Sequence, residues 1–435
     1  MIPEILRRLQ IAELKPIQKA ALETMKSNPE MVLLAPTGSG KTLAFLLPLL
    51  PFLDPQKSGI QVLILVPSRE LALQIELVFR QMGTGFKCLC CYGGHPVTIE
   101  KNALRQPPAV WIGTPGRIAY HIRNGNAAPG TIHSLVLDEF DKSLELGFQA
   151  EMSAILKSLT GLHRRLLTSA TPMEAFPPFV GLQAPVLLHF LEESQLGQDL
   201  RLHYLRAEGT DKLQLLLELI CHLNPKPTLV FCNHRDAVER ISALLADQGL
   251  VHEMFHGGME QEDRERALIK FRNGTCSMLI STDLASRGLD IPEIEAVVHY
   301  QLPPTEEVFI HRNGRTARMH AQGTAWLLLA GEDYLPSYLQ NPPEEYQLPK
   351  ENPLPPPTLW ETLWIGAGRK DKVNKMDIVG MLLQKGALQK DDLGRIEVLD
   401  QSAYVAVRRD KVKGLLARIK DEKIKGRKVR IAISK

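Results

Sequence analysis

The segment Met31 to Thr42 reads MVLLAPTGSGKT, an apolar run ending in Thr37, Gly38, Ser39, Gly40, Lys41 and Thr42. Glycines in such a turn let backbone N–H groups approach an oxyanion, and a helix opening near Lys41 adds its positive end. Together these make a cradle for nucleotide phosphates. Lys41 would meet the terminal phosphates and the Thr42 hydroxyl a magnesium ion. The spacing is A-x-x-x-x-G-K-T, with Ala35 where the usual pattern begins on glycine. Further along, Leu135, Val136 and Leu137 run straight into Asp138, Glu139, Phe140 and Asp141. Carboxylates at a strand end suit the same chemistry, Asp138 toward magnesium and Glu139 to orient the water that attacks the last phosphate. The pair of motifs points to hydrolysis of a nucleoside triphosphate.

Positioning such groups takes strands that end in loops. Apolar runs at 31–34, 61–66, 110–113, 135–137 and 166–169 each end in a polar motif and are separated by stretches of helical period. The alternation predicts a parallel sheet covered by helices, with ligands beyond the carboxyl ends of its strands. A second array repeats the plan at 228–231, 277–281, 296–300 and 324–329, and residues 185–198 read as the connection between the two. Residues 336–357 are rich in proline, which predicts an extended, semi-rigid linker. From Thr358 the spacing predicts strand 359–365, helix 375–384, strands 394–399 and 403–407, helix 411–420 and a last strand 428–433. That is the β-α-β-β-α-β plan of an RNA recognition motif. The expected boundaries are 1–184, 199–335, the linker 336–357, and a small α+β domain over 358–435.

Composition bounds the classes of function. With 44% hydrophobic and 23% charged residues over 435 positions, the chain is an ordinary globular one of about three domains. Its longest apolar stretch, 43–53, contains Pro48 and Pro51 and is too short to span a bilayer, so no membrane partner is expected. The N-terminal segment carries Glu4, Arg7 and Arg8 and shows no small-residue cleavage site, and the six cysteines lack C-x-x-C pairs. Both features favour a cytoplasmic location with reduced thiols. The overall charge of +3 conceals an asymmetry: 19 Lys and Arg against 10 Asp and Glu from residue 358 onward, net +9, and net −6 before it. The last segment has the charge of a module that binds a polyanion.

The ordered motifs resemble the DEAD-box RNA helicase family over residues 14–318. They are the cradle and D-E-F-D strings, PSRELALQ, Gly93-Gly94, TPGR, Ser169-Ala170-Thr171, LVFCN, Gln261 with Arg264, STDLASRGLDIP and HRNGRTAR. The resemblance implies two tandem RecA-like parallel-sheet domains, with ATP and Mg2+ as cofactors and RNA as partner. It implies Gln18 as an adenine-reading amide, Asp290 as a second-lobe contact to nucleotide, and Arg315 and Arg318 as guanidinium fingers on the transferred phosphoryl. The fingers, three apart, are expected on one side of a helix. Asp141, Ser169, Thr171 and His311 are expected to couple phosphate state to lobe contact. Arg69, Gly94, Thr114, Gly116, Arg117, Gln261, Arg264 and Thr282 match the family's RNA-contact positions.

Four departures stand out. Phe140 replaces the usual alanine of D-E-A-D and is expected to set a large ring beside the carboxylates, Asn313 and Ala317 replace an aliphatic residue and a glycine in the arginine motif, and the aromatic normally upstream of Gln18 has no counterpart. The segment from Thr358 is similar to the RNA-binding domain of DbpA-type helicases, whose partner is a structured ribosomal RNA hairpin. Tyr404, the single aromatic in the central strand SAYVAV, is its candidate base-stacking ring. The expectation is a monomeric RNA helicase that melts short duplexes, directed to structured ribosomal RNA in the large-subunit particle. The alternatives are a general RNA chaperone active in the cold and an ATP-gated clamp of low turnover, the latter suggested by Phe140.

Overall fold

The computed structural model describes residues 1–36, 38–173, 175–191, 200–209, 211–223, 226–286, 294–316, 323–339, 341–349, 353–420 and 422–434. They form two compact units, one up to residue 191 and the other from residue 200 onward. The first unit holds seven parallel strands: β1 (Glu30–Leu34), β2 (Val62–Leu65), β3 (Cys88–Cys91), β4 (Val110–Gly113), β5 (Ser134–Leu137), β6 (Arg164–Ser169) and β7 (Val186–His189). Their order is β3-β4-β2-β5-β6-β1-β7. Every residue of β1, β2, β4 and β5 is buried. A parallel sheet is covered on both faces, so its central strands read as unbroken apolar runs rather than as alternation. Phe45, Ile64 and Phe79 belong to the core on one face, Trp111, Leu135 and Phe140 to the core on the other.

Two strands of the first unit depart from the sequence expectation. The β3 segment CLCC has too few β-branched residues to announce itself. Val186–His189 was expected to lie in the connection between the arrays, yet it pairs with β1, Val32 opposite Leu187 and Leu34 opposite His189. Its half-exposed alternation is that of an edge strand, a weaker local signal than a buried run.

The second unit has seven parallel strands in the order β10-β11-β9-β12-β13-β8-β14. They are β8 (Leu200–Arg206), β9 (Thr228–Phe231), β10 (Glu253–Phe255), β11 (Met278–Ser281), β12 (Ala296–His299), β13 (Gly323–Leu329) and β14 (Glu344–Glu345). Strand β14 comes from the proline-rich stretch and pairs with β8. Tyr346 then stacks edge-on against Trp326, ring centroids 5.0 Å apart, and the Tyr338 hydroxyl donates to the Pro303 carbonyl at 2.8 Å. That part of the expected linker is therefore fastened to the second lobe. Proline content predicts extension, but the aromatics decide where the extended chain lies.

The same unit carries a small antiparallel sheet, β16-β17-β15-β20, built from β15 (Trp360–Ile365), β16 (Leu393–Val398), β17 (Ala403–Arg408) and β20 (Ile431–Ile433). A short hairpin, β18 (Lys423–Ile424) with β19 (Arg427–Lys428), occupies the start of the expected last strand. Leu363, Ile365, Val405 and Val407 bury one face of the sheet together with residues of helices Lys375–Gln384 and Arg409–Arg418. The other face meets the second lobe. Thr362, fully buried, accepts from Asn273 Nδ2 at 3.0 Å and shares an O–H···O bond of 2.6 Å with Thr275. Arg409 donates to the carbonyls of Thr275 and Thr358, at 3.2 and 2.8 Å. Among the described residues no helix is long and apolar enough to cross a membrane.

Candidate functional site

Strand β1 delivers the chain into a turn with Gly38 at φ 80° and Gly40 at φ 98°, conformations that disfavour a side chain. Helix Lys41–Leu49 begins directly after, with Thr42 as its second residue. The Lys41 ammonium is buried and donates to the carbonyls of Ala35 at 2.6 Å and Pro36 at 3.1 Å. Gln18, on helix Pro16–Ser27, donates from Nε2 to the Gly40 carbonyl at 3.2 Å and accepts the Lys15 N–H at 3.0 Å. A Cβ on Gly40 would lie 2.6 Å from that amide, so the glycine also makes room for Gln18. Each half of a primary amide keeps further bonding capacity after one contact. Thr37 lies outside the described residues.

Asp138 and Glu139 follow β5, and β6 lies between β5 and β1. The end of β6 therefore sits between the glycine turn and the carboxylates. There the Thr168 hydroxyl donates to Asp138 Oδ1 and accepts the Glu139 N–H at 3.1 Å. Burial pushes the Asp138 carboxyl up, against the Thr168 bond and the positive charge of Lys41, which favour the ionised form. Glu139 takes φ 46°, ψ 54°, a left-handed conformation costly for a side chain and common at functional sites. Asp141 Oδ2 accepts from the Thr171 hydroxyl at 2.9 Å and the Ala170 N–H at 3.3 Å, while the Ser169 hydroxyl donates to the Thr171 carbonyl at 2.6 Å. Thr168 escaped the sequence reading: nothing in the string RRLLTSAT distinguishes its hydroxyl from a strand threonine, and its partners are about 30 residues away.

Phe140 is not beside the carboxylates. It is fully buried and faces Phe179, centroids 6.3 Å apart, inside the core. The left-handed turn at Glu139 starts a new helix, Phe140–Glu145, whose first ring points into the apolar layer. The structural reason for supposing a low-turnover clamp goes with it.

The remaining first-lobe candidates follow the other half of the sheet: Arg69 after β2, Gly94 after β3, and Thr114, Gly116 and Arg117 after β4. Arg69 Nη1 donates to the Gly93 carbonyl at 3.2 Å, and Gly94 sits at φ 87° against the same guanidinium. A Cβ at Gly93 or Gly116 would meet nothing within 4 Å. No packing inside the protein requires those two glycines.

In the second lobe Gln261 opens helix Gln261–Arg272 after β10 and accepts from Arg264 Nη2 at 3.0 Å, and Thr282 follows β11. The sequence reading passed over Arg312. Fully buried, it donates to Asp283 Oδ1 at 2.6 Å, the Gln301 carbonyl at 2.9 Å and Asn233 Oδ1 at 2.7 Å, joining three of the motif segments. His311 is also buried. Helix Glu306–Asn313 stops before Arg315, whose N–H donates to the Arg312 carbonyl in a turn; the expectation that both fingers share a helix is therefore corrected at Arg315. Arg318 and Asp290 lie outside the described residues. Asn313 finds a partner in His299, Nε2 to Oδ1 3.0 Å.

Tyr404 is not an open stacking platform. It is 8% exposed, on the sheet face that meets the second lobe, near Arg266, Glu265 and Glu262 of helix Gln261–Arg272. A single sequence cannot show that this face is covered.

Residues 15–176 match the family described as DEAD/DEAH box helicase, 211–320 the helicase conserved C-terminal domain, and 362–433 the DbpA RNA binding domain. The chain is 31% identical to ATP-dependent RNA helicase DbpA of Escherichia coli (strain K12) over 440 residues, 99% of this chain and 96% of that protein. It is 27% identical to ATP-dependent RNA helicase DbpA of Bacillus subtilis (strain 168), over 98% of this chain and 97% of the other. S. cerevisiae Dbp5 bound to RNA and ADP BeF3 superposes with a TM-score of 0.67 at 26% identity, covering 76% of this chain and 88% of that one. Three matched domains in order, with similarity along almost the whole length, mean that this chain belongs to the DEAD-box ATP-dependent RNA helicases, RNA-dependent ATPases, here with a DbpA-type RNA-binding domain.

Proposed function

We propose that the turn 38–42 with Asp138 and Glu139 hydrolyses ATP, and that the loops after β2, β3 and β4 with Gln261, Arg264 and Thr282 grip an RNA backbone. The observation that carries this reading is the division of the first sheet, with the glycine turn and the carboxylates at the ends of β1, β6 and β5, and the loops bearing Arg69, Gly94, Gly116 and Arg117 at the ends of β2, β3 and β4. As triphosphate enters, Lys41 exchanges the carbonyls of Ala35 and Pro36 for phosphate oxygens. Gln18 adds adenine to its contact with Gly40. Glu139, its N–H held by Thr168, orients the attacking water. The oxygens of Thr42 and Asp138 fit a hard cation such as Mg2+, which supplies charge neutralisation when bound. Arg315 and Arg318 stabilise charge on the transferred phosphoryl. Asp141, Ser169, Thr171 and His311 transmit its loss.

The reading extends to a monomeric cytoplasmic protein that melts short duplexes in structured ribosomal RNA during large-subunit assembly. What supports it is the DbpA RNA-binding match and the net charge of +9 from residue 358 onward. Since Tyr404 and Thr362 face the second lobe, RNA capture falls to exposed cations elsewhere on the module, such as Lys425 and Arg427 of the small hairpin region. The test is RNA-stimulated ATPase of the full chain, with large-subunit ribosomal RNA fragments against unrelated structured RNA of equal length. A ribosomal fragment should saturate the enzyme at concentrations at least tenfold lower; equal response favours a general chaperone. Lys41→Ala should abolish turnover with every RNA.

A further inference from the structure

Beneath the loops after β3 and β4 lies a carboxylate that the reaction does not use. Glu100, on helix Val97–Leu104, is fully buried. Its Oε1 accepts the backbone N–H of Tyr92 and the Nδ1 of His95, both at 3.2 Å. Its Oε2 accepts Arg117 Nη1 at 3.2 Å and His121 Nε2 at 2.7 Å. An ionised carboxylate offers about four lone-pair positions, and here four N–H donors fill them. Arg117 also donates from Nη2 to the His95 carbonyl at 3.0 Å. Asn126 Nδ2 lies 3.2 Å from His121 Nδ1. That amide donates to Nδ1, so the Nε2–H tautomer of His121 satisfies both neighbours.

We propose that Glu100 is a positioning residue for RNA: it fixes the Tyr92–His95 loop to helix Pro115–Arg123, holding Gly94, Gly116 and Arg117 in register before RNA arrives. The proposal rests on the reading that those loops touch RNA. The loop is held at both ends by guanidinium groups, Arg69 on the Gly93 carbonyl and Arg117 on the His95 carbonyl. Arg117 is itself aimed by Glu100, two bonds in a fork on one side chain. A preorganised grip avoids ordering these residues at the moment of binding. Cys91, Glu100 and His121 also bring donor atoms within 4.8 Å of one another, a set that a metal could use. The cluster does not favour one: the carboxylate is saturated, a guanidinium lies against it, and burial pushes the Cys91 thiol up to about 12, where it stays protonated.

The test is Glu100→Gln in the full chain. A glutamine amide turns its N–H toward one of the two donor pairs, Tyr92 with His95 or Arg117 with His121; in either pair the histidine can change tautomer, but the Tyr92 N–H or the Arg117 guanidinium can only donate and is left without its acceptor. The RNA concentration giving half-maximal ATPase should rise about tenfold, with the KM for ATP at saturating RNA shifting less than twofold. His95→Ala, at a partly exposed loop position, should raise it severalfold, and the double variant should be no worse than Glu100→Gln alone. A lower Tm with unchanged RNA half-saturation, or additive losses in the double variant, overturns the proposal. Gly116→Val separates the two readings. If it leaves RNA half-saturation unchanged, the loops do not touch RNA and the underlying reading fails; if it weakens RNA while Glu100→Gln does not, only the role of Glu100 fails.

Discussion

The Thr168 hydroxyl donates to Asp138 while accepting the N–H of Glu139, so one uncharged side chain holds both carboxylate residues of the proposed ATP site. Thr168→Val keeps the shape and removes the bond. RNA-saturated ATPase should fall about 10- to 100-fold, roughly 1.4 to 2.7 kcal/mol of barrier, with little change in ATP affinity. The bond favours ionised Asp138, whose carboxyl burial already pushes up, so its loss should also move the acid limb of the pH–rate profile to higher pH. Thr168→Ser should retain both features. Wild-type rates in the valine variant would reject the role.

Phe140→Ala restores the family's usual residue at the price of a cavity in the first-lobe core. Large-to-small changes of this kind cost about 3–5 kcal/mol. A calorimetric scan should show the first lobe unfolding at lower temperature, while ATPase per folded molecule stays within about twofold. A clear rise in turnover would mean that the ring does restrain the carboxylates.

His299 is an acid-sensitive point of the second lobe. Burial, helped by the charge of Arg312, lowers its pKa from 6.5 to about 3. Because the folded value is depressed, the unfolded chain takes up the proton first. Stability is fully present above pH 6.5 and declines as pH falls toward 3, by about 1.4 kcal/mol per pH unit. His299→Phe with Asn313→Leu replaces the buried polar pair by apolar groups and should flatten that slope by one proton in urea titrations between pH 6.5 and 4. An unchanged slope would place the acid sensitivity elsewhere.

Thr362→Lys should drive the small domain off the second lobe, since an ammonium cannot replace the bonds to Asn273 and Thr275 without carrying charge into a buried contact. Fluorophores on the lobe and the domain should report a longer distance and broader distribution, and the segment near residue 355 should become accessible to protease. ATPase at saturating unstructured RNA should persist. An unaltered distance would show that this contact does not hold the domain in place.

Much of this protein is legible in its chain because the chemistry is concentrated in short strings and the central strands are buried on both faces. MVLL, VLIL and SLVL can only be interior strands of a covered sheet, and GSGKT and DEFD each sit at the end of one. Side-chain direction and distant partners were settled by the tertiary structure alone. The turn at Glu139 sends Phe140 into the core, β6 brings Thr168 to carboxylates 30 residues away, and an edge strand at Val186–His189 shows too weak a pattern to stand out from a connection. Tyr404 looks like a platform until the second lobe covers it, and Glu100 is an ordinary helix residue until four donors from two other segments converge on its two oxygens. Local sequence encodes period and polarity, which set the elements. Hydrogen bonds between residues far apart in the chain depend on how those elements are stacked, and only the folded molecule brings them within bonding reach.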